Sequence, residues 1–152
     1  MTAIADVLGK IWTLPNTIAG LLIGFFALAF GARAEISNNA IVFSRVRFLH
    51  RAFTLGNVIF NPRETFSGHC PTYHSVAQYR RCGDAAVLEY VELARHEEAH
   101  TYQYQVLGPL FLPVYALTQI LPSPTPFERA ADIYAKTGTG WWPTGLTNRH
   151  RP

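Results

Sequence analysis

The pentapeptide His96-Glu97-Glu98-Ala99-His100 constrains this 152-residue chain more than any other feature. On an α-helix two histidines four residues apart project from one face as close neighbours, so H-E-x-x-H asks for a helix with both imidazoles aimed at one point. Glu97 lies about 100° further around that helix, placed to act on water as a general base without being a ligand. The competing reading is a solvated charged stripe, Glu92-Arg95-His96-Glu97-Glu98, on a surface helix. The helix is expected from Asp84, as N-cap, to Leu107, with Gly108-Pro109 as its stop. Val87, Val91 and Ala94 stand at helical spacing along it.

Two histidines do not complete a catalytic zinc site, which takes three protein ligands and keeps one position open. Downstream, Glu128 and Asp132 stand four apart and share a helix face. Their helix is expected to take Thr125 as N-cap, Pro126 at its first position and Gly138 as its stop. Ala131 and Ala135 fall near the same face, where small side chains permit close helix packing. Glu128 has a competing use, bonding back to the Thr125 amide in a capping box. Gln103, seven residues after His96, is a candidate to face the site, or a helix-packing amide.

H-E-x-x-H followed on a later helix by E-x-x-x-D resembles the gluzincin group of zinc metallopeptidases. The resemblance implies His96, His100 and Glu128 as zinc ligands, Glu97 as the base, and Asp132 as the residue that orients a ligand histidine through its second ring nitrogen. The wider stretch is His-Glu-Glu-Ala-His-Thr-Tyr-Gln, then Leu-Gly-Pro-Leu-Phe-Leu-Pro and Phe-Glu-Arg-Ala-Ala-Asp. It is similar to small bacterial zinc-peptidase-like domains, some of them effector domains on type VI secretion spike proteins. The resemblance covers residues 35–135. It implies an α+β, zincin-like fold with a small antiparallel sheet beside the active-site helix. It further implies a protein or peptide substrate, and a secreted or periplasmic antibacterial effector with an immunity protein or a secretion spike as partner. The gap from His100 to Glu128 is longer than in the smallest gluzincins, and no motif supplies the residue that stabilises the transition state.

Length suits one domain: an apolar N-terminal segment (1–34), a core (35–137) and an irregular tail (138–152). Apolar residues make up 49% of the chain and charged residues 15%, against roughly 25% charged in an average soluble domain, which excludes disorder. Net charge is +3 with no run of five basic residues, so no nucleic-acid partner is expected. Much of the surplus apolarity lies in the uncharged stretch from Ile11 to Ala32, densest from Ile18 to Phe30. Three readings of it stand: a core or interface helix, a membrane-contacting segment, or a signal peptide ending near Ala32-Arg33-Ala34. Gly20 and Gly24 form a small-xxx-small pair that lets another element approach closely. The membrane reading carries a rival function, a non-catalytic membrane-associated protein whose zinc only staples helices and takes a fourth ligand such as His69 or His74.

Ala40–Phe43, Val46–Leu49 and Phe53–Phe60 are β-like and expected as neighbouring antiparallel strands, with a turn at Ser37-Asn38-Asn39. Residues 63–83 are expected as loop. In it His69, Tyr73 and His74 flank Cys70, as candidates to support an oxyanion or as surface residues. Cys70 and Cys82 are either bridged, which requires an oxidising compartment, or free. A further helix is expected to start near Pro113, and Ser123-Pro124-Thr125-Pro126 to be a rigid connector. Trp141-Trp142 either line a groove or cover the core.

Overall fold

The computed structural model describes residues 3–120 and 125–143. Its architecture is α+β. Helices α1 (Ala3–Trp12) and α2 (Leu14–Ala29) lead into a four-stranded sheet made of β1 (Arg33–Ser37), β2 (Ala40–Ser44), β3 (Phe53–Leu55) and β4 (Val58–Phe60). The sheet order is β1-β2-β4-β3. A second, two-stranded antiparallel sheet pairs β5 (His69–Pro71) with β6 (Tyr90–Glu92). Around them lie α3 (Tyr73–Cys82), α4 (Leu93–Leu107), α5 (Phe111–Gln119) and α6 (Pro126–Thr137).

The β1–β2 hairpin turns where expected. Asn38 and Asn39 have φ of 50° and 58°, the positive pair that a tight two-residue hairpin turn requires and that asparagine tolerates. Two expectations fail beside it. Val46–Leu49 is not a strand: Arg45, at φ 62°, takes the chain out of the extended region directly after β2. Phe53–Phe60 is not one strand but a hairpin, broken at Gly56-Asn57. Gly56 has φ 65°, and a Cβ there would lie 2.6 Å from the Thr17 amide nitrogen. Because the segment folds back on itself, β4 runs parallel to β2, and the sheet is mixed rather than antiparallel.

Residues 63–83, expected as loop, contain β5 and α3. Thr72 caps α3 by accepting from the Ser75 amide, and Gly83 closes it in the left-handed conformation at φ 72°. The helix that carries H-E-x-x-H does not begin at Asp84. That aspartate does cap, accepting from the Ala86 amide, but what it caps is a single 3-10 turn, Ala85–Val87. Val91 enters β6 opposite Cys70, and α4 starts at Leu93, whose amide bonds the Gly68 carbonyl. Cys70 and Cys82 are free thiols. The third helix matches its expected bounds, with Pro126 in its first turn and Gly138 as a left-handed C-cap. The connector at 123–126 lies partly outside the described residues.

Alternation in the strands sorts the core into two layers. Phe43, Val58 and Phe60 face α2, where Ala27 and Val46 join them. Val42 and Ile59 face the other way, onto Phe66 and Ala94 of α4. The sheet is thus packed between α2 and the metal-motif helix. The α2 side is all small residues: Thr17, Gly20, Gly24 and Ala27 are buried, as the glycine spacing anticipates. Among the described residues, no single helix is long and apolar enough to cross a membrane. The pair α1 and α2 reaches that length and apolarity together, but is bent by 69° at Thr13. Below the sheet, α4 packs on α6 through Ala99, Ala131 and Tyr134. Trp141 covers Tyr102, and Trp142 covers Phe127.

Candidate metal centre

The α4–α6 contact is what builds the site. Ala99 and Ala131 are fully buried between the helices, and their small side chains let the residues beside them meet. His96 and His100 project from α4 towards Glu128, in the first turn of α6. One ligand atom from each of the three lies within 4.8 Å of the other two, and all three residues are buried. This cluster could hold a metal ion. His96 Nε2 stands 3.1 Å from Glu128 Oε2, and His100 Nε2 stands 3.6 Å from the same oxygen. The surface-stripe reading of 92–98 fails, because His96 and Glu97 are each only 5% exposed.

Both imidazoles are oriented from behind. His96 Nδ1 is 3.0 Å from Asp132 Oδ1, and His100 Nδ1 is 2.8 Å from Gln103 Oε1. With the Nδ1 hydrogens donated to these oxygens, each ring presents Nε2 to the centre. Asp132 is itself fixed by the Tyr73 amide, which donates to Oδ2 at 2.8 Å. Gln103 donates to the carbonyls of Phe127 and Trp141, so one side chain ties the His100 ring, α6 and the segment after it together.

The electrostatics follow from burial of two bases against an acid. Burial alone pushes the His96 pKa down, but hydrogen bonds donated by the ring to Asp132 and Glu128 outweigh it and hold the ring well above the ordinary imidazole range. His100 is likewise driven down by burial and, on balance, raised by Glu128. Burial raises Glu128, and the two imidazoles overcome this and hold it far below the usual carboxylate range. In the metal-free centre the carboxylate therefore promotes protonation of both imidazoles, and a cation that binds here competes with those protons.

Glu97 stays out of the cluster. Its carboxylate accepts a 2.7 Å hydrogen bond from Thr54 Oγ1 of β3 and lines the cleft that opens beside the centre. The capping box does not form: the Thr125 side chain makes no cap hydrogen bond, and Glu128 is engaged by His96 and by the Tyr115 hydroxyl, which donates to Oε1. Thr54 and Tyr115 carry no motif. Tyr115 sits in the apolar run 110–121, where the only clue is that it is the one residue with a hydroxyl on a phenyl ring.

The three loop candidates separate. Tyr73 stacks parallel to His96, ring centroids 6.4 Å apart, and lines the cleft. Burial and the nearby Glu128 push its hydroxyl up to about 12, so it remains a proton donor at neutral pH. His69 is exposed at the cleft wall. His74 is exposed on α3 and is not among the residues that line the cleft. The cleft has a volume of about 960 Å³. Apart from Glu97 and Glu128, its charged lining is Arg51, Arg63 and Arg80 together with histidines. Comparisons with protein-family models, with curated proteins and with solved structures found no match.

Proposed function

We propose that this chain is a zinc-dependent peptidase with a zincin-like, gluzincin-type site. The observation that carries the reading is the convergence of His96, His100 and Glu128 within 4.8 Å at the wall of an open cleft, with a fourth group, Glu97, turned into that cleft. The donor set supports zinc. Tetrahedral ligands at about 2.0–2.1 Å from an ion are roughly 3.3 Å apart, close to the separations of 3.1 and 3.6 Å between the imidazole nitrogens and Glu128. Two imidazoles and one carboxylate are also a known catalytic zinc combination.

When bound, zinc supplies Lewis acidity, polarising a scissile carbonyl and acidifying water. The rest of the chemistry belongs to side chains of this chain. Glu97, steadied by Thr54, takes a proton from water in the cleft and returns it to the leaving amine. Tyr73, a hydroxyl donor beside His96, is the candidate to hydrogen-bond the oxygen that gains charge. Its neighbour His69, exposed at the cleft wall, is a weaker candidate for that role, and His74, outside the cleft lining, is not one. An extended substrate has a free edge available at β3, next to α4. A purely structural zinc site would need a fourth protein ligand, and His69 and His74 stand outside the ligand cluster among the described residues.

The test separates metal from chemistry. Glu97→Ala is expected to keep bound zinc and lose peptide hydrolysis by about 10²–10⁴-fold. His100→Ala is expected to lose both. Zinc-loaded wild-type protein that cleaves no member of a broad peptide library, or a Glu97→Ala variant as active as wild type, would overturn the proposal.

A further inference from the structure

The two N-terminal helices are amphipathic the wrong way round for a soluble domain. In α1 the apolar residues recur at Ile4, Val7, Leu8 and Ile11, one helical stripe, and all four are more than half exposed. The polar side of α1 faces inward instead: Gln105 donates to Asp6, and Gly9 packs on the Gln105 side chain. Helix α2 repeats the pattern. Its inward face is small or polar, with Asn57 donating to Thr13 and Thr17 and Asn16 donating to the Gly108 carbonyl. Its outward face carries Ile18, Leu22, Phe25 and Phe26, each 53–66% exposed. Single exposed apolar residues are ordinary, but a continuous face of them marks a surface that is covered in use.

Charge indicates what covers it. Lys10 stands in the last turn of α1, where α1 meets α2, and Arg33 opens β1 shortly after α2 ends. The segment Arg45-Val46-Arg47-Phe48-Leu49-His50-Arg51 is beside α2, its Phe48 ring 6.4 Å from Phe26. Within it Arg45 is paired with Glu64 and Arg51 belongs to the cleft lining, while Arg47 is exposed and has no ion pair among the described residues. Two acids lie nearby. Asp6 is held by Lys10 and Gln105, and Glu35 is exposed on β1. The balance is basic, in keeping with the net charge of +3. Half-exposed Trp12, with Phe26, Phe30 and Phe48, adds the aromatic belt that suits the level of lipid headgroups.

We propose that the outward face of α1 and α2 docks onto an anionic lipid bilayer, with both helices lying in the plane of its surface. A 16-residue helix is about 24 Å long, short of the ~30 Å hydrocarbon core, so α2 lies along the interface rather than spanning it. The inference stands apart from the metal site, which lies on the far side of the sheet from α2.

The test is co-sedimentation of the full chain with vesicles of phosphatidylcholine alone and of phosphatidylcholine with one-third phosphatidylglycerol. Partition to the anionic vesicles is expected to exceed partition to the neutral ones by about ten-fold or more, falling with added salt. Leu22→Ser with Phe26→Ser should lower it about ten-fold while moving the thermal midpoint little, since Leu22 and Phe26 are 66% and 60% exposed and Phe26 meets Phe30 and Phe48 at the surface. Arg33→Gln with Arg47→Gln removes only charge and should abolish the preference for anionic vesicles. Three results would overturn the proposal: wild-type chain left in the supernatant, whether as monomer or as self-associated copies; equal partition to both vesicle types; or serine variants that bind as wild type does.

Discussion

Gly24→Ala tests whether α2 is a packed element of this fold. Gly24 is buried over the edge of the Phe43 ring. A Cβ added there would lie 2.2 Å from Phe43 Cε2 and 2.3 Å from Cζ, against the 3.5–4.0 Å at which carbons rest. The ring therefore has to retreat by more than ~1 Å. It has little room, because Phe43 is 1% exposed, stacks on Phe60 at 5.9 Å and meets Phe25 edge-on. Overpacking of this kind costs about 1–3 kcal/mol. In an unpacked helix the same change has the opposite sign, because alanine is favoured over glycine by ~1 kcal/mol. The expected net effect is destabilisation by about 0–2 kcal/mol, a fall of up to several degrees in Tm for a domain of this size. Thermal unfolding followed by circular dichroism, at fixed pH and zinc concentration, reads it directly. Gly24→Ala combined with Phe43→Leu should lose less than the sum of the two single changes, because the smaller side chain clears the new methyl. A rise in Tm for Gly24→Ala alone would refute the reasoning, because it would mean that α2 does not rest on Phe43.

Three further outcomes follow from the site and its surroundings. In the zinc-free chain His96 and His100 are raised, so their stabilisation is complete below the unfolded imidazole value and is lost as pH rises through the folded values. Glu128 is lowered, so its share is present above the ordinary carboxylate value and is lost only as pH falls towards its depressed one. Urea midpoints of zinc-free protein should therefore decline above about pH 6.5, whereas zinc affinity should climb over the same interval because binding expels those protons; a zinc-free chain that gains stability there contradicts this. Asp132→Asn, read by competition with a chelator, should weaken zinc binding about 10–100-fold by loosening the His96 ring; undiminished affinity would contradict that role. Tyr104→Phe removes a buried hydroxyl with no hydrogen-bond partner among the described residues, and its Tm should stay level or rise; a loss of more than ~1 kcal/mol would mean that the hydroxyl is bonded.

What could be read in the residues, and what could not, divides along physical lines. The α6 bounds were legible because Pro126 and Gly138 act through their own backbone, without help from elsewhere. The shared face of His96 and His100 was legible because helix geometry alone dictates it. Helix α3 was not, because Tyr73-His74-Ser75-Val76-Ala77-Gln78-Tyr79-Arg80-Arg81-Cys82 lies mostly exposed and offers no apolar period to find. Its signals were its ends, Thr72 and Gly83, and they fell in a stretch rich in loop-forming residues. The parallel pairing of β2 with β4 was hidden because the break at Gly56 depends on the close passage of Thr17 in another element. Thr54 and Tyr115 reach the centre from β3 and α5, and only tertiary packing brings them to Glu97 and Glu128. The competition for Glu128 between a cap and the histidines was open in the sequence. The fold resolves it because two buried imidazoles bind a carboxylate more strongly than one backbone amide does.

The central claim is that His96, His100 and Glu128 form one zinc site with a position left open. X-ray absorption at the zinc edge, on stoichiometrically loaded full chain, addresses it directly. The account predicts one zinc per chain with two imidazole nitrogens, oxygen ligands at about 2.0–2.2 Å and no sulfur. Absence of stoichiometric zinc, a third imidazole, or a sulfur at about 2.3 Å from Cys70 would contradict it.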